Sequence, residues 1–402
     1  MASSSAGSVT RYLEESIPGT IETGNPQVWR VVDGALVQTT TSAQDDEIRN
    51  DRGSSDSITV SGTVGGSYNI NISHKTHNDF WEALLASTPV PVAANGVKAV
   101  ADMAFTSTTH TISSASAALP LLDKGQWFSI TGAGSPSNNG AFKASSSTAP
   151  TTSAIVVDTV VKDVGLTATA VSCVISSTRL KQGNETPLRT FTIERELSDD
   201  AIFFTWAKCY VSSATLSYAL DQKVKATMSF LGAATEQFGN VSKFAGIDTE
   251  VAATTTPYFN SVVDTYVLID GAEMGDSCIE SLSVEINGNL RERRCYGSGL
   301  ASSSVGFDTF TVKGSGSMFF GSANSAALYA KKISDTSITF TVCVTDSAGN
   351  GFAITMPRAK ITKGDVPGGS LGSDVMMNVE FEASTDPTLE TKFIIDFMGS
   401  LA

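Results

Sequence analysis

Apolar and polar residues alternate in short runs along much of this chain, and strict alternation predicts half-buried β-strands. Within residues 35–87, an alternating run from Ala35 is followed by a charged loop and then by a glycine-containing run from Ile58. The segment from Asn78 to Ala86 instead places its apolar residues at helical spacing. This part of the chain is therefore predicted to form a strand, a loop, a second strand and a short amphipathic helix.

The same order of elements occurs again in the C-terminal part of the chain. From Cys278 there is an alternating run, a charged loop, a glycine-rich run from Thr309 and a helical pattern from Ala323. Few residues are identical between the two copies, and the alignment of the glycine-rich runs sets Gly66 against Gly316. An internal repeat of this kind predicts two copies of one structural unit.

Residues 97–176 differ from both copies because they are poor in charge and rich in Ser, Thr and Ala. Their short alternating runs are separated by turn residues, so we expect a small all-β domain inserted into the first copy. The predicted organisation is an N-terminal arm at 1–25, a discontinuous first repeat at 26–96 and 177–235, the insert at 97–176, a linker at 236–260 and a second repeat at 261–402.

Composition narrows the classes of function. The 402 residues carry a formal net charge of −14, whereas tight binding of nucleic acid needs Lys and Arg to neutralise phosphates. An acidic chain can still line a path through which nucleic acid slides without being held. A chain of this length also exceeds what a single core usually organises, so two or three domains are expected.

Cysteine content and the N-terminal sequence bear on the compartment. The five cysteines are odd in number and widely spaced, which favours small buried apolar residues over a disulfide framework or a metal site. The first ten residues lack the basic start and apolar centre of a signal peptide. No run approaches the roughly 18 to 20 apolar residues of a membrane span. We expect assembly in the cytoplasm without membrane insertion.

The three histidines form no evident catalytic or metal-binding motif. His74 and His77 lie three residues apart at a predicted strand-to-helix junction, without an acidic residue or cysteine at ligand spacing. An exposed cap region is the simpler interpretation. His110 stands alone, and no G-x-S-x-G sequence is present. The sequence therefore predicts no enzyme, no cofactor and no metal.

One enzymatic alternative remains in the insert. A glycan hydrolase on a β-scaffold would need carboxylates in a cleft with aromatic walls. Asp123, with Trp127 and Phe128 nearby, is the only candidate set that the insert offers.

Charged residues cluster in the predicted loop of each copy. Solvated hairpin loops are the usual explanation of such runs, and contacts between copies of the chain, with ion pairs that set register, are the alternative. The same placement in both copies favours the second interpretation. The candidate contact residues are Asp45, Asp46, Glu47, Arg49, Asp51 and Arg52 in the first loop, and Arg291, Glu292, Arg293 and Arg294 in the second.

Taken in order, these motifs resemble the tail tube proteins, or major tail proteins, of long-tailed bacteriophages. In the first copy the resemblance lies in the charged segment 48–52, the V-x-G-x-x-x-G-S strand at 60–67 and the helix at 80–85. In the second copy it lies in segments such as 281–290 and 375–379. It covers residues 20–90 and 188–385, and its motifs are packing and turn motifs rather than active-site motifs.

The resemblance implies a mainly β fold with two tandem tail-tube-type β-sandwich or half-barrel repeats. Each repeat would have one short helix, and the inserted all-β domain would lie on the tube exterior. Tail tube subunits join their sheets edge to edge into an inner barrel, and rings stack through a long loop between early strands. By position, the two charged loops match that loop.

The resemblance also implies a structural role in the virion tail. Six sheet units per ring, with two per chain, would give homotrimeric rings with pseudo-sixfold symmetry that stack into a hollow tube for DNA ejection. The expected partners are further copies of the chain, the tape-measure protein in an acidic lumen, the tail terminator and baseplate proteins, and double-stranded DNA in transit. The alternatives are a baseplate or tail-terminator ring component, or an adhesive surface β-module of the virion.

Overall fold

The computed structural model describes residues 7–22, 24–44, 56–165, 167–244, 249–263, 265–274, 279–368 and 372–400. The fold is mainly β, as predicted, with 26 strands and two α-helices in those ranges. The helices are α1 (Asn78–Leu85) and α2 (Ala323–Ile333). The strands of the N-terminal part and the insert are β1 (Ser8–Glu15), β2 (Gln27–Val28), β3 (Asp33–Ala43), β4 (Ile58–Asn71), β5 (Val90–Pro91), β6 (Val97–Thr106), β7 (Thr111–Ser114), β8 (Trp127–Thr131), β9 (Gly140–Lys143), β10 (Ala154–Val156), β11 (Ala168–Ser176), β12 (Thr178–Lys181), β13 (Thr190–Leu197), β14 (Ile202–Ala219), β15 (Lys225–Gly232) and β16 (Gln237–Gly239).

The C-terminal part contains ten strands in the described ranges. They are β17 (Tyr266–Ile269), β18 (Ala272–Glu273), β19 (Ile279–Asn287), β20 (Leu290–Arg293), β21 (Ser304–Phe307), β22 (Thr311–Phe319), β23 (Ile338–Thr345), β24 (Gly351–Asp365), β25 (Met376–Ala383) and β26 (Ile394–Met398). We use "unit 1" for β1, β3, β4, α1 and β13–β16, and "unit 2" for β17, β19, β22, α2 and β23–β26.

Eight antiparallel strands form one continuous layer, which we call the inner sheet. Its order is β3-β4-β15-β14 from unit 1, followed by β19-β22-β25-β24 from unit 2. In each unit the first two inner strands pair with each other, and the second of them also pairs with a strand that comes later in the chain. These pairs are β3–β4 with β15 in unit 1 and β19–β22 with β25 in unit 2, so the pairing order is the same in both units.

Two long strands connect the inner sheet to a second layer. The first part of β14 pairs with β13, and its later part pairs with β15 in the inner sheet. Strand β24 does the same with β23 and β25. In the second layer β1 pairs with β13, and β17 pairs with β23. The apolar faces of both layers enclose one core that runs through both units.

Bulges in the long strands fix which residues of the two units are equivalent. In β14 the pairing shifts between Val211 and Ser213, and in β24 it shifts between Ile361 and Lys363. Val211 lies opposite Phe230, which lies opposite Gly66. By the same path Ile361 lies opposite Phe381, which lies opposite Gly314. Gly66 is therefore equivalent to Gly314.

The sequence alignment of Gly66 with Gly316 was wrong by two residues. A shift of two keeps every side chain on the same face of a strand, so alternation alone cannot detect it. The structure supplies the missing reason: a Cβ atom added at Gly314 would lie 2.2 Å from the ring of Phe381. Only glycine leaves room for that ring in the core.

The insert strands β6–β11 form their own sheet, in the order β10-β7-β6-β11-β8-β9. Its two ends meet, because Ala144 bridges to Val157 and the Ser145 amide donates to the Val156 carbonyl at 2.9 Å. The result is a small closed barrel filled by its own apolar core.

The predicted N-terminal arm is wrong for residues 8–15. They form β1, which pairs along its whole length with β13 and buries Thr10, Tyr12 and Glu15. The Tyr12 hydroxyl donates to Asp79 at 2.9 Å. Alternation does not reveal this strand, because Thr10 and Tyr12 are buried on one face and the carboxylate of Glu15 is buried on the other.

Glu15 shows how a charged residue can be buried on the face of β1 that points away from Tyr12 and the core. Its carboxylate accepts hydrogen bonds from the hydroxyls of Thr190 and Thr192 and from the amides of Gly19 and Lys208, at 2.7 to 2.8 Å. Lys208 has a positive φ of 54°. Glu15 therefore holds β14 in shape where it leaves one layer for the other.

We predict that Glu15→Ala lowers the free energy of unfolding by about 3 kcal/mol, because four donors, including the buried hydroxyls of Thr190 and Thr192, lose their acceptor. Thermal unfolding of the unassembled protein measures this. Glu14→Ala is the matched control, since its half-exposed carboxylate contributes at most about 1 kcal/mol. Equal melting temperatures for the two variants would contradict the assignment.

Candidate self-assembly interface

The two units join by main-chain pairing within the inner sheet. Residues 213–219 of β14 pair antiparallel with residues 281–287 of β19, so that Thr215 lies opposite Glu285. The hydrogen-bonding edge of unit 1 is thus satisfied by the first inner strand of unit 2.

At the two outer ends of the inner sheet, no described strand fills the corresponding edges. Strand β3 pairs with β4 on one side, and residues 360–365 of β24 pair with β25 on one side. Apolar side chains are exposed beside the β3 edge: Val37 by 57%, Ile58 by 71% and Val60 by 57%. An edge of this kind is a template for pairing with another chain.

The two free edges, on β24 and β3, are equivalent to the edges of β14 and β19 that already pair with each other inside the chain. Strand β24 occupies in unit 2 the place of β14, and β3 occupies in unit 1 the place of β19. Asp365 of β24 occupies the position that Thr215 has in β14, and Val37 of β3 occupies the position that Glu285 has in β19. The edges at the two ends therefore have the strand direction needed to repeat the β14–β19 pairing.

The face of the inner sheet turned away from the core is rich in hydroxyl and amide side chains. Cross-strand pairs balance part of its charge, since Lys313 lies opposite both Glu285 and Glu382. The charged residues on this face of the eight strands include the lysines Lys225, Lys313, Lys360 and Lys363 and the carboxylates Asp33, Glu280, Glu285, Glu380, Glu382 and Asp365.

The second predicted contact loop lies in the β20–β21 hairpin and the segment after β20. Arg291 and Arg293 are exposed, and Arg294 forms an ion pair with Glu292 at 2.9 Å. Arg294 also donates a hydrogen bond to the carbonyl of Gly62 in unit 1. The first predicted set, namely Asp45, Asp46, Glu47, Arg49, Asp51 and Arg52, lies outside the described residues.

The rest of that loop covers one end of unit 1. The Ser302 amide donates to the Ala233 carbonyl at 3.0 Å, and Lys208 Nζ donates to the Ser303 carbonyl at 3.2 Å. Leu300 packs beside Gly62. These residues were not predicted from the sequence, because backbone contacts carry no side-chain motif.

The predicted exposure of His74 and His77 was wrong, because both side chains are buried. His77 Nδ1 accepts a hydrogen bond from Trp29 Nε1 at 3.0 Å, and burial lowers its pKa to about 3. His74 bonds the Ser400 carbonyl at 2.8 Å. Within the described ranges, no group of three His, Cys, Asp or Glu residues could hold a metal ion.

The aromatic residues of the hydrolase alternative do not line a cleft. Trp127 and Phe128 are completely buried, and the ring of Trp127 lies 6.0 Å from that of Tyr266 in unit 2. Asp123 forms ion pairs with Arg179 and Lys181. The geometry is that of an attachment between the insert and unit 2.

A buried ion pair holds this attachment. Arg179 of β12 binds Asp396 of β26 through two hydrogen bonds of 2.7 Å, and both side chains are almost fully buried. The same carboxylate accepts the amide of Trp127 at 3.1 Å. One residue of unit 2 therefore binds both the insert and the strand that follows it.

We predict that Asp396→Ala destabilises the protein by about 3 to 5 kcal/mol, because it leaves the Arg179 guanidinium buried without its main partner. Thermal unfolding and limited proteolysis of the insert are the measurements. Asp123→Ala removes a half-exposed partner of the same arginine and should cost no more than about 1 kcal/mol. Equal losses would show that Asp396 has no special part in the attachment.

None of the helices in the described ranges is long and apolar enough to cross a membrane. No curated protein matches the chain. A family model described as phage tail tube protein matches residues 5–383. The match spans nearly the whole chain, from before β1 to the end of β25 and including the insert, and it confirms the resemblance found in the sequence. The chain belongs to the phage tail tube protein family.

Proposed function

We propose that this protein forms stacked rings of three copies, which build a hollow tail tube through which DNA is ejected. The observation that carries the proposal is the β14–β19 pairing inside the chain. It is the model for the contact between neighbours, in which β24 of one copy pairs with β3 of the next.

The equivalences give the register of this contact. Because Thr215 lies opposite Glu285, Asp365 of one copy is expected opposite Val37 of the next. Pairing would extend the inner sheet by main-chain hydrogen bonds and cover the exposed edge beside Val37. With two units per chain, three copies supply the six units that the family resemblance implies for a ring.

In such a ring the hydroxyl-rich face of the inner sheet lines the lumen. Carboxylates outnumber lysines on this face and are partly paired with them across strands, which supports the acidic lumen that the resemblance implies. A lumen without excess cations would still let DNA pass, since phosphates find no band of Lys or Arg to bind.

The remaining parts of the proposal follow from this arrangement. In this proposal the chain has two tandem tail tube units, and the insert 97–176 lies on the tube exterior, attached to unit 2. The two charged loops, 45–52 and 291–294, are contacts between units. The tape-measure protein in the lumen, the tail terminator and the baseplate are the proposed partners, and assembly takes place in the host cytoplasm. We propose no catalytic role.

The register is tested by engineered disulfides. We predict that Val37→Cys with Asp365→Cys gives covalent dimers and trimers on oxidation, with no product beyond three copies. Denaturing gel electrophoresis without reductant measures this. All cysteine pairs are introduced into a variant in which the exposed Cys295 is replaced by serine, so that this native thiol cannot form cross-links.

Two controls sharpen the result. Thr215→Cys with Glu285→Cys should cross-link within one chain and give only monomers, because these residues already face each other. Val37→Cys with Lys363→Cys is two residues out of register and should cross-link poorly. A ladder that continues to six copies would overturn the three-copy ring.

Electron microscopy of the concentrated protein tests the tube itself. We predict hollow filaments whose end-on views have three strong outer lobes, one for each insert. Six lobes would mean six chains per ring. Single rings that never stack would favour a baseplate component, and persistent monomers would contradict self-assembly in the absence of an initiator.

A further inference from the structure

The helices α1 and α2 occupy equivalent places in the two units. The ring of Phe80 in α1 lies 4.9 Å from that of Phe191 in the second layer. Leu328 of α2 lines a small apolar cavity together with Ile338, and the strand pairing makes Ile338 the equivalent of Phe191. Phe80 and Leu328 are therefore equivalent, and the residues that follow them in each helix correspond one by one.

Inside the chain, α1 of unit 1 is covered by the second layer of unit 2. The ring of Trp81 lies 5.9 Å from that of Phe352 in β24, and both side chains are buried. The helix also contacts β12, and β26 lies between β24 and β12. It therefore crosses the core-facing side of this part of the second layer, where side chains such as Ile395 of β26 are completely buried.

The equivalent helix of unit 2 is left more exposed. Tyr329 directly follows Leu328 and is the equivalent of Trp81, but it is only half-buried. Ile333 in the last turn of α2 is exposed by 71%, whereas its equivalent in α1, Leu85, is buried. The side of α2 that corresponds to the covered side of α1 is thus apolar and accessible in the single chain.

Unit 1 exposes the face that would cover such a helix. The strand pairing makes Ile202 of β14 the equivalent of Phe352, and Phe238 of β16 the equivalent of Ile395. Ile202 is half-buried, and Phe238 is exposed by 67%. The ring of Phe204 lies 5.2 Å from that of Phe238 and continues the apolar patch along β14.

One charged residue borders this patch. Arg195 of β13 stands where unit 2 has Val342. Its guanidinium carbon lies 5.3 Å from the centre of the Phe204 ring. Arginine stacks on aromatic faces and is more weakly hydrated than lysine, so a cation held in this way can border an apolar contact.

The two exposed surfaces lie on the sides of the chain that meet in the ring. At the junction inside the chain, β19 of unit 2 pairs with β14, and the second layer of unit 2 covers α1. The same relation between neighbouring copies pairs β3 of one copy with β24 of the other. It also brings the second layer of that unit 1 over α2, so both surfaces are covered at one junction.

We infer that α2 of one copy docks against the core-facing side of β14 and β16 in the neighbouring copy, with Tyr329 beside Ile202 and Ile333 towards Phe238. This inference rests on the ring proposed above, and the partner is a second copy of this chain. The docking adds an apolar contact outside the inner sheet. It would fix the angle between neighbouring sheets, since strand pairing alone allows a range of twist.

Apolar-to-polar substitutions test this surface. Phe238→Ser and Ile333→Ser should each raise the protein concentration needed for half-maximal assembly by about tenfold or more, because each removes a large side chain that is buried only on docking. Leu121→Ser on the insert is the matched control: it removes an apolar side chain that is exposed by 72% and should leave this concentration unchanged. Thermal unfolding of the unassembled variants should match that of the original protein. Normal assembly of both interface variants would overturn the inference.

Cross-linking separates this docking from the ring itself. In the variant without Cys295, Tyr329→Cys with Ile202→Cys should be joined between copies by a short bismaleimide and give a ladder that stops at three copies. Each single cysteine variant should stay monomeric. A ladder that runs past three copies would place α2 outside a three-copy ring and overturn the inference.

The disulfide pair described above completes the test. If Tyr329→Cys with Ile202→Cys fails to cross-link while Val37→Cys with Asp365→Cys still gives trimers, the ring stands and the docking is wrong. If both pairs fail, the ring is wrong as well.

Discussion

Main-chain pairing between β14 and β19 is the interaction on which the rest of the structure depends. It joins two units into one inner sheet and fixes their relative register through residues 213–219 and 281–287. Backbone hydrogen bonds are indifferent to side-chain identity, so two units with few identical residues can still meet in the same way. For the same reason, the unpaired backbone edges of β3 and β24 can pair with a further copy of the chain, and a closed ring removes every such edge.

The long strands convert this edge contact into a stable wall. Because β14 and β24 each belong to both layers, a force on the inner sheet is carried directly into the second layer. A second bulge lies between Trp206 and Cys209 of β14 and between Met356 and Ala359 of β24, and in unit 1 the Glu15 carboxylate binds the Lys208 amide there. A buried carboxylate with four donors is costly to move, so it specifies one course for the strand rather than several.

The spacing of apolar residues predicted most of the fold. Alternation predicted strands, and helical spacing predicted α1 and α2 to within about one residue at each end, because the period of apolar residues and the turn residues are local signals. It failed where the deciding contact is distant in sequence. Strand β1 was missed because the carboxylate of Glu15 is buried, which makes sense only beside Thr190 and Thr192. His77 was placed outside because its partner, Trp29, lies far away in the chain. The edges and backbone contacts of the interface have no side-chain signature at all.

The two units have the same strand pairing but differ in the side chains on their surfaces and in the attachment of the insert. This difference explains why a tandem chain is useful. Unit 2 holds the insert through Asp396, whereas unit 1 has no described counterpart of that attachment. On the inner sheet, Val37 and Leu231 of unit 1 stand where unit 2 has Glu285 and Glu382. Six identical units would repeat one surface six times. In the ring proposed above, two linked units would give six similar sheets whose outer decoration, loop charges and lumen surface alternate, because each junction would then join surfaces that differ and can be matched in charge.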